Sequence, residues 1–276
     1  MKFTDSHCHL DFEAFNAKGI SSTVSLLALC AKKNIHQIIV PAIAPDNWES
    51  VLALANNIQE QPLSGCKVFS CLGIHPWFLA GLQQQHLDKL AQKVLENKTR
   101  IIAIGEAGLD SVIAKQQDNF NQQNLFFEFQ LYLAQQHQLP IIVHHRRTHN
   151  ETITLLKQIK IARGGIIHAF SGSYQQACQY IDLGFKLGIG GTITYPRAEK
   201  TIKAIKRLPL SSLVLETDAP SMPLNGFQGE NNSPLRVVNV FNKLVELRQE
   251  SSEVIADKIE GNISTLFQLN DKNRIN

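Results

Sequence analysis

The chain has 276 residues, of which 43% are hydrophobic and 18% charged, with 16 glycines and 10 prolines. This composition excludes a disordered chain, a collagen and a disulfide-stabilised miniprotein. The 27 lysines and arginines exceed the 24 aspartates and glutamates by three, a mild basic excess that allows a nucleic-acid partner without requiring one.

The predicted elements alternate between short β-branched runs and longer segments of helical period. We predict strands at residues 2–9, 36–42, 68–74, 100–105, 140–144, 165–170, 185–189 and 212–216. We predict helices at residues 22–33, 47–59, 86–97, 117–138, 150–159, 174–183 and 200–207, and two more in the tail at 234–248 and 252–269. Eight strands in βα order, with no linker or repeat between them, predict a TIM-like (β/α)8 barrel in a single domain over residues 1–276. A doubly wound open sheet is the alternative.

The location expected from the sequence is cytoplasmic. The N-terminal residues 1–7 are largely polar, unlike a signal sequence, and no apolar stretch approaches the ~20 residues of a membrane span. The five cysteines form no C-x-x-C pair, as is typical of reduced thiols in a cytosolic chain.

Two histidines lie close together where the first predicted strand ends. His7 and His9 are two residues apart, so on a strand both side chains point to one face. Paired imidazoles on one face could bind a divalent cation, although two unrelated polar residues are equally expected from this pair alone.

Further ionisable residues follow the carboxyl ends of other predicted strands. Because those ends converge on one mouth of a parallel barrel, we expect the side chains to meet there. Any one of them could be a hydrogen-bonded polar residue, but together they would be costly to bury without cations. The set has more donors than one tetrahedral zinc uses, so it favours two metal ions bridged by a carboxylate. It comprises His7, His9, Glu106, His144, His168 and Asp218.

These motifs resemble the TatD family of metal-dependent hydrolases and deoxyribonucleases along nearly the whole chain. The resemblance is carried by residues 5–11, 73–76, 104–110, 140–146, 168–172 and 215–220, and residues 190–197 and 222–229 indicate its YjjV-like branch. It implies a metallo-dependent hydrolase barrel whose two divalent ions (Zn²⁺, Mn²⁺ or Mg²⁺) are bound by the six residues above, with Glu106 as the bridge. His145 departs from the family pattern, which usually has a small residue there, and residues 111–113 lack a common aromatic side chain.

Other residues near the predicted mouth have two open interpretations each. His75 could donate a hydrogen bond to a substrate phosphate or cap its loop, and Arg146 could bind a phosphate or form a surface ion pair. Tyr195 and Arg197 could stack on a base or pack within a loop. We expect supporting roles for two carboxylates, Asp5 and Glu216.

The predicted function is hydrolysis of phosphodiester bonds, with DNA as the substrate and a 3′-end preference implied by the resemblance. Asp218 is the predicted catalytic residue, which orients or deprotonates the attacking water. The alternative is hydrolysis of an ester or amide, such as an aminoacyl-tRNA or a lactone, and a metal-dependent nucleic-acid-binding module is a third possibility. We predict no protein partner and no membrane association.

Overall fold

The strands of the chain form one parallel sheet that curves into a barrel. A computed structural model describes residues 1–16, 20–59 and 65–269, so the other residues of the predicted 1–276 domain lie outside this description. The eight strands are neighbours in sequence order and all pairs are parallel. They are β1 (Phe3–Asp5), β2 (Ile35–Pro41), β3 (Lys67–Leu72), β4 (Ile101–Asp110), β5 (Ile141–Arg146), β6 (Gly165–Ile167), β7 (Phe185–Ile189) and β8 (Leu213–Leu215).

The first and last strands meet and nearly close the barrel. The Ser6 amide donates a hydrogen bond of 2.9 Å to the Leu215 carbonyl, and an isolated parallel bridge joins Cys8 to Ala219. The predicted (β/α)8 barrel is therefore confirmed, and the open doubly wound sheet is excluded.

Helices follow most of the strands and cover the outside of the barrel. None of them, within the part of the chain that the structure describes, is both long and apolar enough to cross a membrane. They are α1 (Glu13–Asn16), α2 (Ile20–Lys32), α3 (Trp48–Gln59), α4 (Gln84–Glu96), α5 (Ser111–Gln117), α6 (Phe120–His137), α7 (His149–Gln158), α8 (Tyr174–Asp182), α9 (Glu199–Ile205), α10 (Val237–Leu247) and α11 (Ser252–Phe267).

Burial on both faces of the strands explains their apolar sequences. Along β5, Ile141 and Val143 belong to the large core that includes the helices, whereas Ile142 belongs to a second cluster with Ile166 and Val214. Because side chains alternate between the faces of a strand, the second cluster fills the inside of the barrel. The same alternation directs the side chains two residues beyond these three, at positions 144, 168 and 216, to the inside.

Several predicted boundaries were wrong, and three of them affect the site. Strand β1 ends at Asp5 rather than at residue 9, so both N-terminal histidines lie beyond it. Strand β4 runs to Asp110 rather than to residue 105. The predicted helix 117–138 begins only at Phe120, as α6, because Asp118 adopts a left-handed conformation with φ of 49° and ends a separate helix, α5, that was not predicted.

Candidate metal centre

The carboxyl ends of the strands surround a cavity of about 440 Å³. Six of its lining residues carry titratable groups proposed from sequence to bind metal or substrate, and aromatic rings form part of the remaining wall. They are His9, His75, Glu106, His144, His168 and Asp218, and the seventh residue proposed from sequence to bind metal or substrate that lines the cavity is Arg146.

One cluster of donor atoms has the dimensions of a tetrahedral metal site. His7 Nε2 lies 3.3 Å from His9 Nε2, 3.1 Å from Glu106 Oε2 and 3.7 Å from Asp218 Oδ1. His9 Nε2 lies 3.6 Å from the same Glu106 oxygen and 3.5 Å from the same Asp218 oxygen. Ligands about 2.0–2.1 Å from a tetrahedral ion are themselves about 3.3–3.4 Å apart, so these residues fit a divalent ion.

Glu106 faces two groups of histidines with its two oxygens. Oε2 faces the His7 and His9 rings, while Oε1 lies 3.1 Å from His144 Nδ1 and 3.4 Å from His75 Nε2. The preceding Gly105 has φ of 135°, and the pairing of β4 with β5 is irregular between residues 104 and 107. This irregularity places Glu106 inside the barrel in the middle of β4, where its carboxylate can bridge two ions.

His144 presents one ring nitrogen to Glu106 and is held from behind by another carboxylate. His144 Nε2 lies 3.2 Å from Asp110 Oδ2, and because an ionised carboxylate only accepts, Nε2 carries the proton. Nδ1 faces the Glu106 carboxylate at 3.1 Å in the same way, and although burial lowers the pKa of His144, these two carboxylates raise it overall. A cation between Nδ1 and Glu106 would take the place of the Nδ1 proton while Nε2 keeps its contact with Asp110. Burial would raise the pKa of Asp110, but hydrogen bonds from His144 and Trp77 outweigh it and hold that pKa below its ordinary value.

His75 has the opposite arrangement of ring protons. Its Nδ1 accepts a hydrogen bond of 3.1 Å from the Trp77 amide, so in the neutral ring Nε2 carries the proton. Burial lowers the pKa of His75 to about 4, which keeps the ring neutral near pH 7. The Nε2–H group points toward Glu106 Oε1 and the cavity, where it is a hydrogen-bond donor rather than a lone pair for a metal ion.

His168 is also backed by a carboxylate. Its Nδ1 lies 3.1 Å from Glu216 Oε1, its Nε2 lies 3.7 Å from Asp218 Oδ1, and its ring stacks on His7 at 3.5 Å. The same Glu216 oxygen accepts a hydrogen bond of 2.6 Å from the Ala169 amide. Glu216 thus contacts His168 on the side away from Asp218, which agrees with the supporting role expected for it.

Asp218 is fixed by hydrogen bonds between the ends of β1 and β8. Its amide donates to the His7 carbonyl at 2.9 Å, and its backbone is left-handed with φ of 58°. Asp5 accepts hydrogen bonds from the Thr217 amide and hydroxyl at 2.9 and 2.6 Å and from the His7 amide at 3.3 Å. Asp5 therefore orients backbone, not an imidazole ring as expected, and burial raises its pKa to about 8.

The electrostatics of the cluster favour a bound cation. Burial would raise the pKa values of Glu106 and Asp218, but the neighbouring imidazoles outweigh it and hold both pKa values below the ordinary range. Burial would lower the pKa of His168, yet the carboxylates of Glu216 and Asp218 raise it well above its usual value. The ionised carboxylates stabilise positive charge next to them, which can be supplied either by protonated imidazoles or by divalent cations. This set of donors therefore fits metal ions.

The wall of the cavity combines one cation with aromatic side chains. The Arg146 side chain is 50% exposed, and its Nη1 lies 3.9 Å from Asp110 Oδ2. Trp77 and Phe78 are each 41% exposed, and Trp77 Nε1 donates a hydrogen bond of 2.6 Å to the same Asp110 oxygen. His145 also lines the cavity, although its ring is 7% exposed and no hydrogen-bond partner for either ring nitrogen lies within the described structure.

Sequence reasoning missed Asp110 and Trp77 as parts of the site. Asp110 ends β4, so the position rule that selected the other strand-end carboxylates would also have selected it. Trp77 lies in the 3-10 turn Pro76–Phe78. It is distant from Asp110 in the sequence, so local patterns do not indicate their contact. His149, near the cavity residue His145, contacts the Tyr180 hydroxyl and the Ser171 carbonyl with its two nitrogens.

Comparisons with known proteins agree with the geometry. A family described as TatD related DNase matches residues 4–268. The chain is 43% identical over 268 residues to the uncharacterized metal-dependent hydrolase YjjV of Escherichia coli K12, with 97% of this chain and 98% of that protein covered. An uncharacterized metal-dependent hydrolase of Haemophilus influenzae is 37% identical over 270 residues, with coverage of 97% and 100%. The crystal structure of the TatD homologue YjjV superposes with a TM-score of 0.89 over 97% of this chain and 98% of the other.

Proposed function

Because the chain belongs to the TatD family of metal-dependent hydrolases, we propose that it is a deoxyribonuclease that hydrolyses phosphodiester bonds. The observation that carries this proposal is the common cavity of the buried donor clusters, Arg146 and the exposed rings of Trp77 and Phe78. Cationic and aromatic groups around a metal site suit a substrate with phosphates and bases.

The residues proposed to bind two divalent ions share Glu106 between them. Ions bound there would lower the pKa of water and neutralise negative charge on phosphate oxygens. The proposed ligands are His7, His9, Glu106, His144, His168 and Asp218. Oε2 of the bridging Glu106 faces His7 and His9, and its Oε1 faces His144. His168 Nε2 lies 3.7 Å from Asp218 Oδ1.

Asp218 is the proposed acceptor of the proton from the attacking water. Its carboxylate lines the cavity and keeps 15% of the side chain exposed, so water in the cavity can reach it. Its pKa lies below the ordinary value, so the carboxylate is ionised near neutral pH and carries no proton of its own.

His75 and Arg146 are the proposed phosphate-binding residues. The neutral His75 ring offers Nε2–H to the cavity, and the Arg146 guanidinium can donate two parallel hydrogen bonds to phosphate oxygens. The exposed rings of Trp77 and Phe78 provide flat surfaces on which nucleobases can stack.

An activity panel with purified protein tests the proposal. The substrates are single-stranded and double-stranded DNA labelled at either end, bis-p-nitrophenyl phosphate, and p-nitrophenyl acetate, each with Mn²⁺ or Zn²⁺ and with excess EDTA. We expect cleavage of DNA that EDTA abolishes, and the position of the label reports the predicted 3′-end preference. Cleavage of the acetate alone would support the ester or amide hydrolase, and DNA binding without cleavage would support the binding module. DNA cleavage that persists in EDTA would contradict the metal mechanism.

A further inference from the structure

A second cavity adjoins the metal centre and contains an arginine and a tyrosine that the proposed chemistry does not use. Its volume is about 240 Å³. Met222 lines both cavities, so the two share a wall. The second cavity is lined by Thr192, Tyr195, Arg197, Ala198, Met222 and Pro223, from the segments that follow β7 and β8.

The tyrosine of this cavity is held in one position. Its hydroxyl donates a hydrogen bond of 2.7 Å to the Pro223 carbonyl, and its amide donates one of 3.2 Å to the Thr192 carbonyl. The hydroxyl bond ties the segment after β7 to the segment after β8. The ring of Tyr195 is therefore a rigid surface that loses little conformational freedom on binding a ligand.

The arginine of this cavity is free to bind an anion. The Arg197 guanidinium lies over the Tyr195 ring, 4.7 Å from its centroid, and the residue is exposed. No carboxylate lies within ion-pair distance of Arg197 in the described ranges, whereas Arg236 and Arg248 pair with Glu230 and Glu250. The charge of Arg197 is thus uncompensated beside a cavity that opens next to the proposed phosphodiesterase centre.

We infer that this second cavity is a nucleotide subsite, which binds the unit next to the scissile phosphate with its phosphate on Arg197 and its base and sugar against Tyr195, Met222 and Pro223. The inference rests on the proposed function, because it takes the substrate to be a DNA strand. A cavity of 240 Å³ is smaller than the roughly 300–1,000 Å³ of a typical ligand pocket, as befits one part of a longer substrate. The shared wall at Met222 lets one strand occupy both cavities.

A subsite for a neighbouring nucleotide makes the enzyme sensitive to substrate length. An oligonucleotide reaches both cavities, whereas bis-p-nitrophenyl phosphate has a single phosphate, which the metal centre binds. Loss of a hydrogen bond to a charged group typically weakens binding about tenfold or more. Arg197→Gln should therefore reduce kcat/KM for a single-stranded 8-mer about tenfold more than for bis-p-nitrophenyl phosphate.

Arg207 provides the matched control. Its guanidinium lies 4.1 Å from the centroid of the Tyr174 ring and is also exposed, but neither residue lines either cavity. Arg207→Gln removes the same charge and the same kind of arginine–tyrosine contact, so it should leave the ratio of the two kcat/KM values unchanged. An equal change of that ratio in both variants would overturn the subsite.

Equilibrium binding separates the subsite from the proposed function. The apparent affinity for a fluorescein-labelled single-stranded 8-mer is measured by anisotropy in EDTA over a range of salt concentrations. One phosphate contact contributes about 0.7 to the slope of log affinity against log salt for a single strand. Arg197→Gln should lower the slope by about 0.7 and Arg207→Gln should not. Equal slopes, or no DNA binding by the wild-type protein, overturn the subsite, whereas binding without cleavage overturns the proposed function alone.

Discussion

Replacement of Asp110 by asparagine tests whether the carboxylate behind His144 controls metal binding. The Oδ1 atom of Asp110 accepts the amides of Val112 and Ile113 at 2.8 and 3.1 Å, and asparagine can keep these helix-capping bonds with its carbonyl oxygen. Its amide nitrogen then replaces Oδ2, which accepts from Trp77 Nε1 and faces His144 Nε2. The N–H groups of the asparagine would then face the N–H groups of Trp77 and His144, so the Nε2 proton of His144 loses its acceptor.

The expected losses of metal affinity and of folding stability follow from the two contacts that Asp110→Asn removes. Loss of a residue that hydrogen-bonds a metal-binding histidine typically reduces metal affinity about 10–100-fold. We expect this loss for the ion bound by His144, and a smaller effect on the ion between His7 and His9. Buried donors left without an acceptor also cost about 1–3 kcal/mol of folding free energy, so the unfolding midpoint of Asp110→Asn should fall as well.

The assay is competition for Mn²⁺ or Zn²⁺ against a fluorescent chelator, analysed for two ions per chain. Trp77→Phe is the control, because it removes the tryptophan hydrogen bond and leaves the Asp110 carboxylate on His144. Its metal affinity should change less than about threefold, well below the expected effect of the aspartate. Unchanged binding of both ions by Asp110→Asn, or an equal loss in Trp77→Phe, would contradict a role for the Asp110 carboxylate in metal binding.

Three further predictions test other parts of the molecule. Alanine at His7 or His9 should remove the same single ion while the circular dichroism spectrum stays that of the folded barrel, and full occupancy in both variants would exclude a shared site. Asp218→Asn keeps a coordinating oxygen but loses the proton acceptor, so turnover should fall at least about 100-fold with little loss of bound metal. Glu216→Gln should reduce turnover much less. Equal losses of turnover in the two variants would mean that another group is the base. Burial raises the pKa of Glu260 to about 7, so the folded chain binds the carboxyl proton of Glu260 more tightly than the unfolded chain does. The free energy of unfolding should therefore fall by up to about 3 kcal/mol as the pH rises from about 4.5 to 7. Glu260→Gln should remove this loss in urea unfolding at pH 5 and pH 8, and parallel pH profiles would contradict it.

The sequence by itself determined the architecture and the place of the candidate site. Alternating strand and helix patterns predicted the barrel, and the strand-end rule selected Glu106, His144, His168 and Asp218 before their contacts were known. These predictions depend on local properties: side chains alternate along a strand, and parallel strands end at the same edge. Motifs along nearly the whole chain also indicated the TatD family, which the family match confirms.

Local patterns did not determine where the elements end around the site. The end of β1 at Asp5 and the bend at Ala169, where φ is 47°, follow from hydrogen bonds to β8 and Glu216. The irregular pairing that places Glu106 in the middle of β4 depends on the neighbouring strand β5. These partners are distant in sequence, so periodicity within one segment carries no information about them.

Only the tertiary structure decided what each imidazole can do. His75 and His144 both face Glu106 Oε1. The Trp77 amide occupies Nδ1 of His75 and leaves its Nε2–H as the donor, whereas Asp110 accepts from Nε2 of His144 and leaves Nδ1 as the nitrogen at which a cation could replace a proton. A histidine has the same two nitrogens wherever it occurs, and the proton goes to whichever nitrogen faces an acceptor. The acceptor for His144 is 34 residues away along the chain, so folding, and not the sequence around His144, decides which of its nitrogens faces Glu106.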